Sequence, residues 1–281
     1  TLDLANPAGF HEKICWLRLN RLTPLHSYCA DKVTAPAYVA SVAGPGHTVR
    51  RFFWTTDPER LSPETIPARR CILKTNNASG GVFPIPDTAT ADWPTIRREL
   101  RELLDANYYW KYRERQYRTI RPAIVVDEYL DQAGLPMGEL NFYCLNGVAR
   151  FALSFPPGAI LASQKGVLLG RDGQRLAATR QRRKTAQQDI QIPVWFTEMR
   201  ALAERLAAPF PLVRVDFLLD HDGYWVSELT FSPSAGYDRF QPETVELEFG
   251  ALLDHRAEVP DWRPILAAAR AQEPAVLAPR I

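Results

Sequence analysis

The sequence has little of what announces a metal cluster or a disulfide framework. Its 281 residues hold four cysteines and five histidines. Cys15, Cys29, Cys71 and Cys144 lie far apart with no C-x-x-C, which argues against both a zinc knuckle and a stapled secreted fold. No H-x-x-x-H or H-E-x-x-H occurs, so the common zinc-hydrolase signature is excluded. Neither a Walker A loop nor a G-x-S-x-G elbow is present. Gly44-Pro45-Gly46 imitates the start of a dinucleotide fingerprint, but the third glycine is missing and the stretch follows a predicted helix rather than a strand. No apolar run approaches the ~20 residues that span a bilayer. No secretory leader is recognisable either, so a cytoplasmic protein without membrane insertion is expected. The chain opens on Thr1 rather than Met, which leaves room for residues upstream. A net charge of +2 provides no global field for nucleic acid.

What remains is an ordinary globular composition, 46% apolar and 23% charged, long enough for one large or two modest domains. The most informative stretch is Leu212 to Phe231, LVRVDFLLDHDGYWVSELTF. It predicts two strands joined by a tight turn at His221, Asp222 and Gly223, with Gly223 in the left-handed position. If Asp220 and Tyr224 close that turn, Asp216 lies opposite Glu228 and Arg214 opposite Thr230. Val213, Val215, Phe217, Leu219, Leu229 and Phe231 then share the apolar face. Two opposed carboxylates repel, so they call for a cation, and Mg²⁺ with oxygen ligands suits them. The alternative is a solvated polar face on an amphipathic hairpin.

Other segments carry weaker signals. Residues 1 to 57 read as a leading unit with short helices at Glu12 to Arg18 and Ala35 to Val42, the second stopped by Gly44. Cys71 to Thr75 predicts a buried strand with one lysine, Lys74, running into Asn76-Asn77-Ala78-Ser79-Gly80-Gly81. Such a loop either brings backbone N–H groups to phosphate oxygens or simply turns the chain between strands. Trp93 to Tyr117 predicts a long helical region, in which Tyr108, Tyr109 and Tyr112 suit core packing better than base stacking. Ala123 to Leu130 reads as a buried strand that leaves into a hinge, and Asn146-Gly147 marks a hairpin between Leu140 to Leu145 and Val148 to Leu153. Residues 156 to 192, with Arg180, Arg182, Arg183 and Lys184, predict a solvated loop or a lid, in which Lys165 is a candidate phosphate contact. Thr197 to Ala207 predicts an amphipathic helix, and the chain beyond Asp254 a short helix and a tail.

In order along the chain, NPAGFHEKICW, ADK with AYV, ILKTNNASGG, VVDEYL, FYCLNG, VRVDF and SELTF resemble the ATP-grasp superfamily, and within it the TupA-like branch associated with surface-polysaccharide biosynthesis. The resemblance covers roughly residues 5 to 253. It implies an α/β ATP-grasp fold with a leading α/β unit and two lobes enclosing ATP. The expected divisions are residues 1–66 as leading unit, 67–127 as small ATP-binding subdomain, 128–255 as larger lobe and 256–281 as tail. It also implies Mg²⁺ at Asp216, Glu228 and Thr230, and Arg214, Lys32 and Lys165 acting on phosphate oxygens. Lys74, Ser79, Gly80 and Gly81 would hold the nucleotide phosphates, and Glu128, Tyr129 and Leu130 the adenosine. Two positions depart from common patterns: Thr230 where many ATP-grasp enzymes have Asn, and Asn141 where the TupA-like pattern often has Lys. The implied activity is ATP-dependent ligation of a carboxylate, such as a uronic acid or glycan precursor, to an amine. A kinase acting on a hydroxyl and a non-catalytic nucleotide- or glycan-binding protein are the alternatives.

Overall fold

A computed structural model describes residues 2–78, 80–106, 108–135, 137–157, 166–180 and 191–281. The chain forms two compact units, one of residues 1–22 with 131–262 and a second of residues 23–130 with 263–281.

The larger unit is built on an antiparallel sheet ordered β10-β9-β5-β6-β7. Its strands are β5 (Glu139–Leu145), β6 (Val148–Phe155), β7 (Val167–Gly170), β9 (Leu212–Leu219) and β10 (Tyr224–Thr230). Asn146 and Gly147, at φ of 49° and 78°, make the expected turn between β5 and β6. Both have the left-handed φ that a two-residue hairpin of this kind demands. One face carries Leu140, Phe142, Val215 and Phe217, and a helix over Phe196–Ala207 covers it, with Phe196 and Phe142 rings 5.2 Å apart. The opposite face is covered in part by α1 (Phe10–Asn20) and by a helix over Glu243–Leu252. Phe10, Tyr143, Phe151, Phe240 and Phe249 interlock there, the Phe151 and Phe249 rings stacking at 4.0 Å.

The smaller unit has a four-stranded antiparallel sheet ordered β1-β4-β2-β3. Its strands are β1 (Arg51–Thr55), β2 (Cys71–Thr75), β3 (Val82–Ile85) and β4 (Ile124–Glu128). Alternate residues Leu73, Ile124 and Val126 pack with Phe53, Leu61 and Leu100 of α4 (Trp93–Asp105) to form its core. The Asp92 carboxylate accepts from Thr95 N and caps that helix, and Pro94 sits in its first turn, where no N–H is needed.

Several expectations change. Residues 1–22, with α1, group with the larger unit, and residues 23–66 with the smaller. Contacts distant in sequence tie α1 there: Lys13 Nζ donates to Gly250 O and Leu253 O, and Gly250 lacks the Cβ that would collide with Ala8 O. The C-terminal stretch is more than a tail. Trp54 N donates to Pro279 O and Ile281 N to Trp54 O, so the chain end protects the β1 edge. The helical region over Trp93 to Tyr117 breaks into α4, a short helix at Tyr108–Tyr112 and a 3₁₀ turn at Arg115–Thr119. No residue of that short helix is buried, so Tyr108, Tyr109 and Tyr112 are not core residues. The stretch 156–192 is not one solvated loop either, since Val167 to Leu169 form an almost inaccessible strand against β6.

The hairpin turn also differs. Leu219 rather than Asp220 pairs with Tyr224, giving a four-residue loop, and a bulge between Val226 and Glu228 restores the register. Gly223 is not among the residues with left-handed φ. Instead the Asp220 carboxylate accepts from Asp222 N and Gly223 N and holds the loop from within.

Candidate functional site

Because the bulge absorbs one residue, Asp216 lies opposite Glu228 and Arg214 opposite Thr230. On the other side of β9, Asn141 pairs with Asp216 and Tyr143 with Arg214. Asn141, Asp216 and Glu228 therefore form one row across three strands, and Tyr143, Arg214 and Thr230 the next. Glu139, two residues before Asn141, points to the same face. The aromatic layer ends at this boundary, where the Arg214 guanidinium lies 5.9 Å from the Tyr143 ring centre.

Arg214 Nε and Nη2 each donate to an Asp216 carboxylate oxygen at 2.6 Å, a bidentate pair. Thr230 Oγ1 accepts from Arg214 Nη2 at 3.1 Å and donates to Asp216 Oδ2 at 3.3 Å. Asn141 Nδ2 donates to Glu139 Oε1 at 2.6 Å. Asn141 Oδ1 is buried without a hydrogen-bond partner among the described residues. A buried amide oxygen left this way is costly unless something electropositive meets it.

The electrostatics point the same way. Burial raises the Asp216 carboxyl above the usual range, with Glu228 adding to the rise and Arg214 opposing it. Burial also pushes Glu139 up to about 7, and the charges of Asp216 and Glu228 contribute. Three carboxylates thus share a face with the Arg214 guanidinium. Carboxylate oxygens, a hydroxyl and an orphaned amide oxygen are the donor set of a hard divalent cation.

In the smaller unit, Lys74 Nζ lies 3.3 Å from Asp127 Oδ2, and Arg51 Nε lies 2.8 Å from Asp127 Oδ1. Burial alone would raise the Asp127 carboxyl, but the charges of Arg51 and Lys74 outweigh it and hold the group below its ordinary value. Arg51 Nη1 also donates to Lys32 O, and Lys32 Nζ to Ala78 O at 3.4 Å. Lys32, Lys74 and the loop after β2 therefore meet in one polar network. Two asparagines anchor that loop. Asn76 exchanges hydrogen bonds with Ala123 N, Arg121 O and Asp31, while Asn77 Nδ2 donates to Leu103 O and Ala106 O. Gly80 and Gly81 take φ of 101° and 64°, and a Cβ on Gly81 would stand 2.6 Å from Thr75 Oγ1. Only glycine fits there without displacing the strand end.

Glu128, at the end of β4, donates its N–H to Arg50 O, and Tyr129 lies under the Arg70 guanidinium at 4.1 Å. Both are half-buried, as is Leu130. Ser79 and Lys165, together with Arg182, Arg183 and Lys184, lie outside the described residues. The sequence reading missed Asp127, Arg51 and Glu139. A signal existed for Asp127 and Lys74: Lys74 is the lone charge of its strand and Asp127 follows three apolar residues in its own, and two such buried charges need each other. Glu139 stood two residues from Asn141, hence on its face, but only the sheet order brings both beside Asp216.

A family profile described as TupA-like ATP-grasp matches residues 12–254. No curated protein matches. Among solved structures, the chain is similar to the ATP-grasp ligase PsnB complexed with minimal precursor, Mg and ADP, with 17% identity, 72% of this chain and 50% of that one covered, and a TM-score of 0.38. It is also similar to an L-amino acid ligase from Bacillus licheniformis, with 11% identity, coverage of 80% and 49%, and a TM-score of 0.45. For D-alanine–D-alanine ligase from Bacillus anthracis complexed with ATP, the values are 13% identity, 87% and 67% coverage, and a TM-score of 0.41. The chain spans 50% to 60% of the length of the PsnB structures it matches.

Proposed function

Because the chain belongs to the TupA-like ATP-grasp family and has its α/β fold, we propose that it is an ATP- and Mg²⁺-dependent carboxylate–amine ligase. The observation that carries this reading is the row Asn141, Asp216 and Glu228, in which a buried amide oxygen lacks a partner among the described residues and carboxylates face one another. Asp216, Glu228 and Thr230 would hold Mg²⁺, and Asn141 Oδ1 and Glu139 enlarge the set of oxygen donors around it. Bound there, the ion would supply neutralisation of charge developing on phosphate oxygens.

The chain's own groups do the rest. Arg214, fixed by both oxygens of Asp216, presents a rigid guanidinium to the transferred phosphoryl group. Lys32 and Lys74 contribute charge to the phosphates, and Asp127 keeps Lys74 from folding away. The glycines at 80 and 81 let backbone N–H groups approach phosphate oxygens, with Ser79 beside them, while Glu128, Tyr129 and Leu130 receive the adenosine. Lys165 is a further phosphate contact in this reading. A substrate carboxylate oxygen attacks the γ-phosphorus as the bond to the β,γ-bridging oxygen breaks, giving an acyl-phosphate and ADP. An amine nitrogen then attacks the carbonyl carbon, the C–O bond to phosphate breaks, and the nitrogen loses a proton to leave an amide. Charge placement carries such chemistry without a protein nucleophile, which suits dispersed histidines and cysteines.

The acid is a uronic acid or another glycan precursor, the setting is surface-polysaccharide synthesis, and the compartment is the cytoplasm. Calorimetry with a non-hydrolysable ATP analogue tests the nucleotide site: Mg²⁺-dependent binding is expected, weakened in Asp216→Ala. Glu228→Ala should abolish turnover in a protein that still folds. Trapping with hydroxylamine separates a ligase, which yields a hydroxamate, from a kinase, which does not. Failure of folded wild-type protein to bind the analogue would refute the nucleotide reading.

A further inference from the structure

The sheet face that carries the carboxylate row continues onto two strands that the nucleotide chemistry does not use. Asn141 pairs with Leu153 of β6, and Leu153 pairs with Leu168 of β7. Phe155 lies opposite Glu139 in the neighbouring row. Directly paired residues point to the same face. The row that begins with the oxygens of Glu228, Asp216 and Asn141 therefore ends on the buried side chains of Leu153 and Leu168. At about 4.8 Å per strand, Leu153 stands about 5 Å and Leu168 about 10 Å beyond Asn141.

These apolar residues line a small recess. Its walls are Leu153, Phe155, Gly166, Leu168 and Ala178, and Arg180 closes one side. A Cβ on Gly166 would stand 2.8 Å from a Phe155 ring carbon, so glycine leaves that wall undisturbed. Arg180 belongs to a two-residue strand, Thr179–Arg180, that pairs with Phe240–Gln241. Its Nη2 lies 2.5 Å from Asp238 Oδ2 and donates to Ser234 Oγ at 2.5 Å. Nη1 takes part in neither contact. Both partners belong to the turn that follows Thr230, the end of the strand bearing Glu228. That turn is itself pinned: Ser234 and Ala235 hold φ of 51° and 52°, and Arg18 Nη1 donates to Ala235 O at 2.6 Å. Residues other than glycine keep such angles only where their surroundings impose them. The Arg180 guanidinium is thus aimed by two fixed partners at the edge of an apolar recess.

We propose that this recess selects the amine substrate, and that the amine is an α-amino acid with a small apolar side chain. The side chain enters the recess, the α-carboxylate accepts from Arg180, and the α-nitrogen is left facing the row at Asn141 and Asp216. The inference rests on the ligase reading above and deepens it. The α-nitrogen forms the amide bond as the C–O bond to phosphate breaks, and its displaced proton goes to the departing phosphate. The separation of about 5 Å between Asn141 and the first wall residue suits a molecule whose amine and side chain hang from one carbon. A guanidinium beside the recess calls for an anion on that same carbon. Glutamate would carry a second charge between apolar walls, and the hydroxyls of an amino sugar would exchange water for carbon there. An alkylamine would fill the recess and leave Arg180 without its anion. The acid substrate is not the occupant, because its carboxylate is consumed beside Arg214.

The test is a saturation-transfer NMR titration of the full chain, with Mg²⁺ and the non-hydrolysable ATP analogue present. The probes are L-alanine, L-valine, L-glutamate, glucosamine and isobutylamine, which is valine without its carboxylate. Alanine or valine should bind about tenfold or more tighter than the other three, with saturation strongest on the side-chain methyls. Arg180→Gln removes the cation, whereas Ala178→Val narrows the recess and keeps the Arg180–Asp238 pair. Each should weaken the preferred amino acid about tenfold or more. Glutamate, glucosamine or isobutylamine binding as tightly, an affinity unchanged in either folded variant, or no binding of alanine and valine to analogue-loaded protein would each overturn the proposal. Binding of the analogue is followed in the same samples, so failure of the nucleotide reading registers there and not in the amino-acid arm.

Discussion

Replacing Glu139 by Gln tests the electrostatics of the carboxylate row. Glu139 sits at about 7, against 4.5 for an ordinary glutamate, because of burial and the charges of Asp216 and Glu228. For a carboxyl raised in the folded state, the native form binds more protons than the unfolded chain across this window. Stability therefore falls as pH rises from about 4.5 towards 7, and the whole cost is present above it. A shift of about 2.5 units at roughly 1.36 kcal/mol per unit is about 3 kcal/mol at pH 8, and the same linkage leaves about 1 kcal/mol at pH 5. Gln keeps the acceptor for Asn141 Nδ2 and abolishes the charge. Glu139→Gln should therefore stabilise the protein against urea by up to about 3 kcal/mol at pH 8 and about a third of that at pH 5. Mg²⁺ should stabilise the wild type more at pH 8 than at pH 5, because ionised oxygens bind it best. A stability change independent of pH, or a destabilisation at pH 8, would refute the assignment of a face on which carboxylates outnumber the single guanidinium of Arg214.

Two further substitutions probe the scaffold. Asp127→Asn leaves Arg51 and Lys74 without their buried counter-charge and should cost about 3–5 kcal/mol in urea unfolding. Since the Asp127 carboxyl is depressed in the fold, the wild type's advantage over this variant should vanish as pH falls below its ordinary 3.8 and through its folded value; an advantage that persisted there would exclude the charge as its source. Gly250→Ala puts a Cβ onto Ala8 O and should cost about 1–3 kcal/mol by forcing the helix over Glu243–Leu252 away from residues 8–10. Wild-type melting of that variant would mean the packing of α1 is looser than described.

The facing of Asp216 and Glu228 was legible in the sequence because strand periodicity and turn chemistry are local. The turn itself was misread by one residue, and the bulge at Ser227 compensated, so the right pairing emerged through a different loop. The Asn146-Gly147 turn, the stop at Gly44 and the helix before β9 were likewise written in nearby residues. What lay beyond local pattern needed the sheet order. Asn141 reaches Asp216 only because β5 pairs with β9 across 75 residues of sequence, and no periodicity in either strand specifies that neighbour. The grouping of α1 with the larger unit involves Lys13 and Gly250, which meet across 237 positions. The partners of Asp127 remained hidden for the same reason, because Arg51 and Lys74 come from two other strands. Local sequence determines which residues share a face of a strand or helix, since that depends on backbone geometry alone. Which faces meet, and so which charges must be satisfied together, is decided by burial and pairing of segments far apart in the chain.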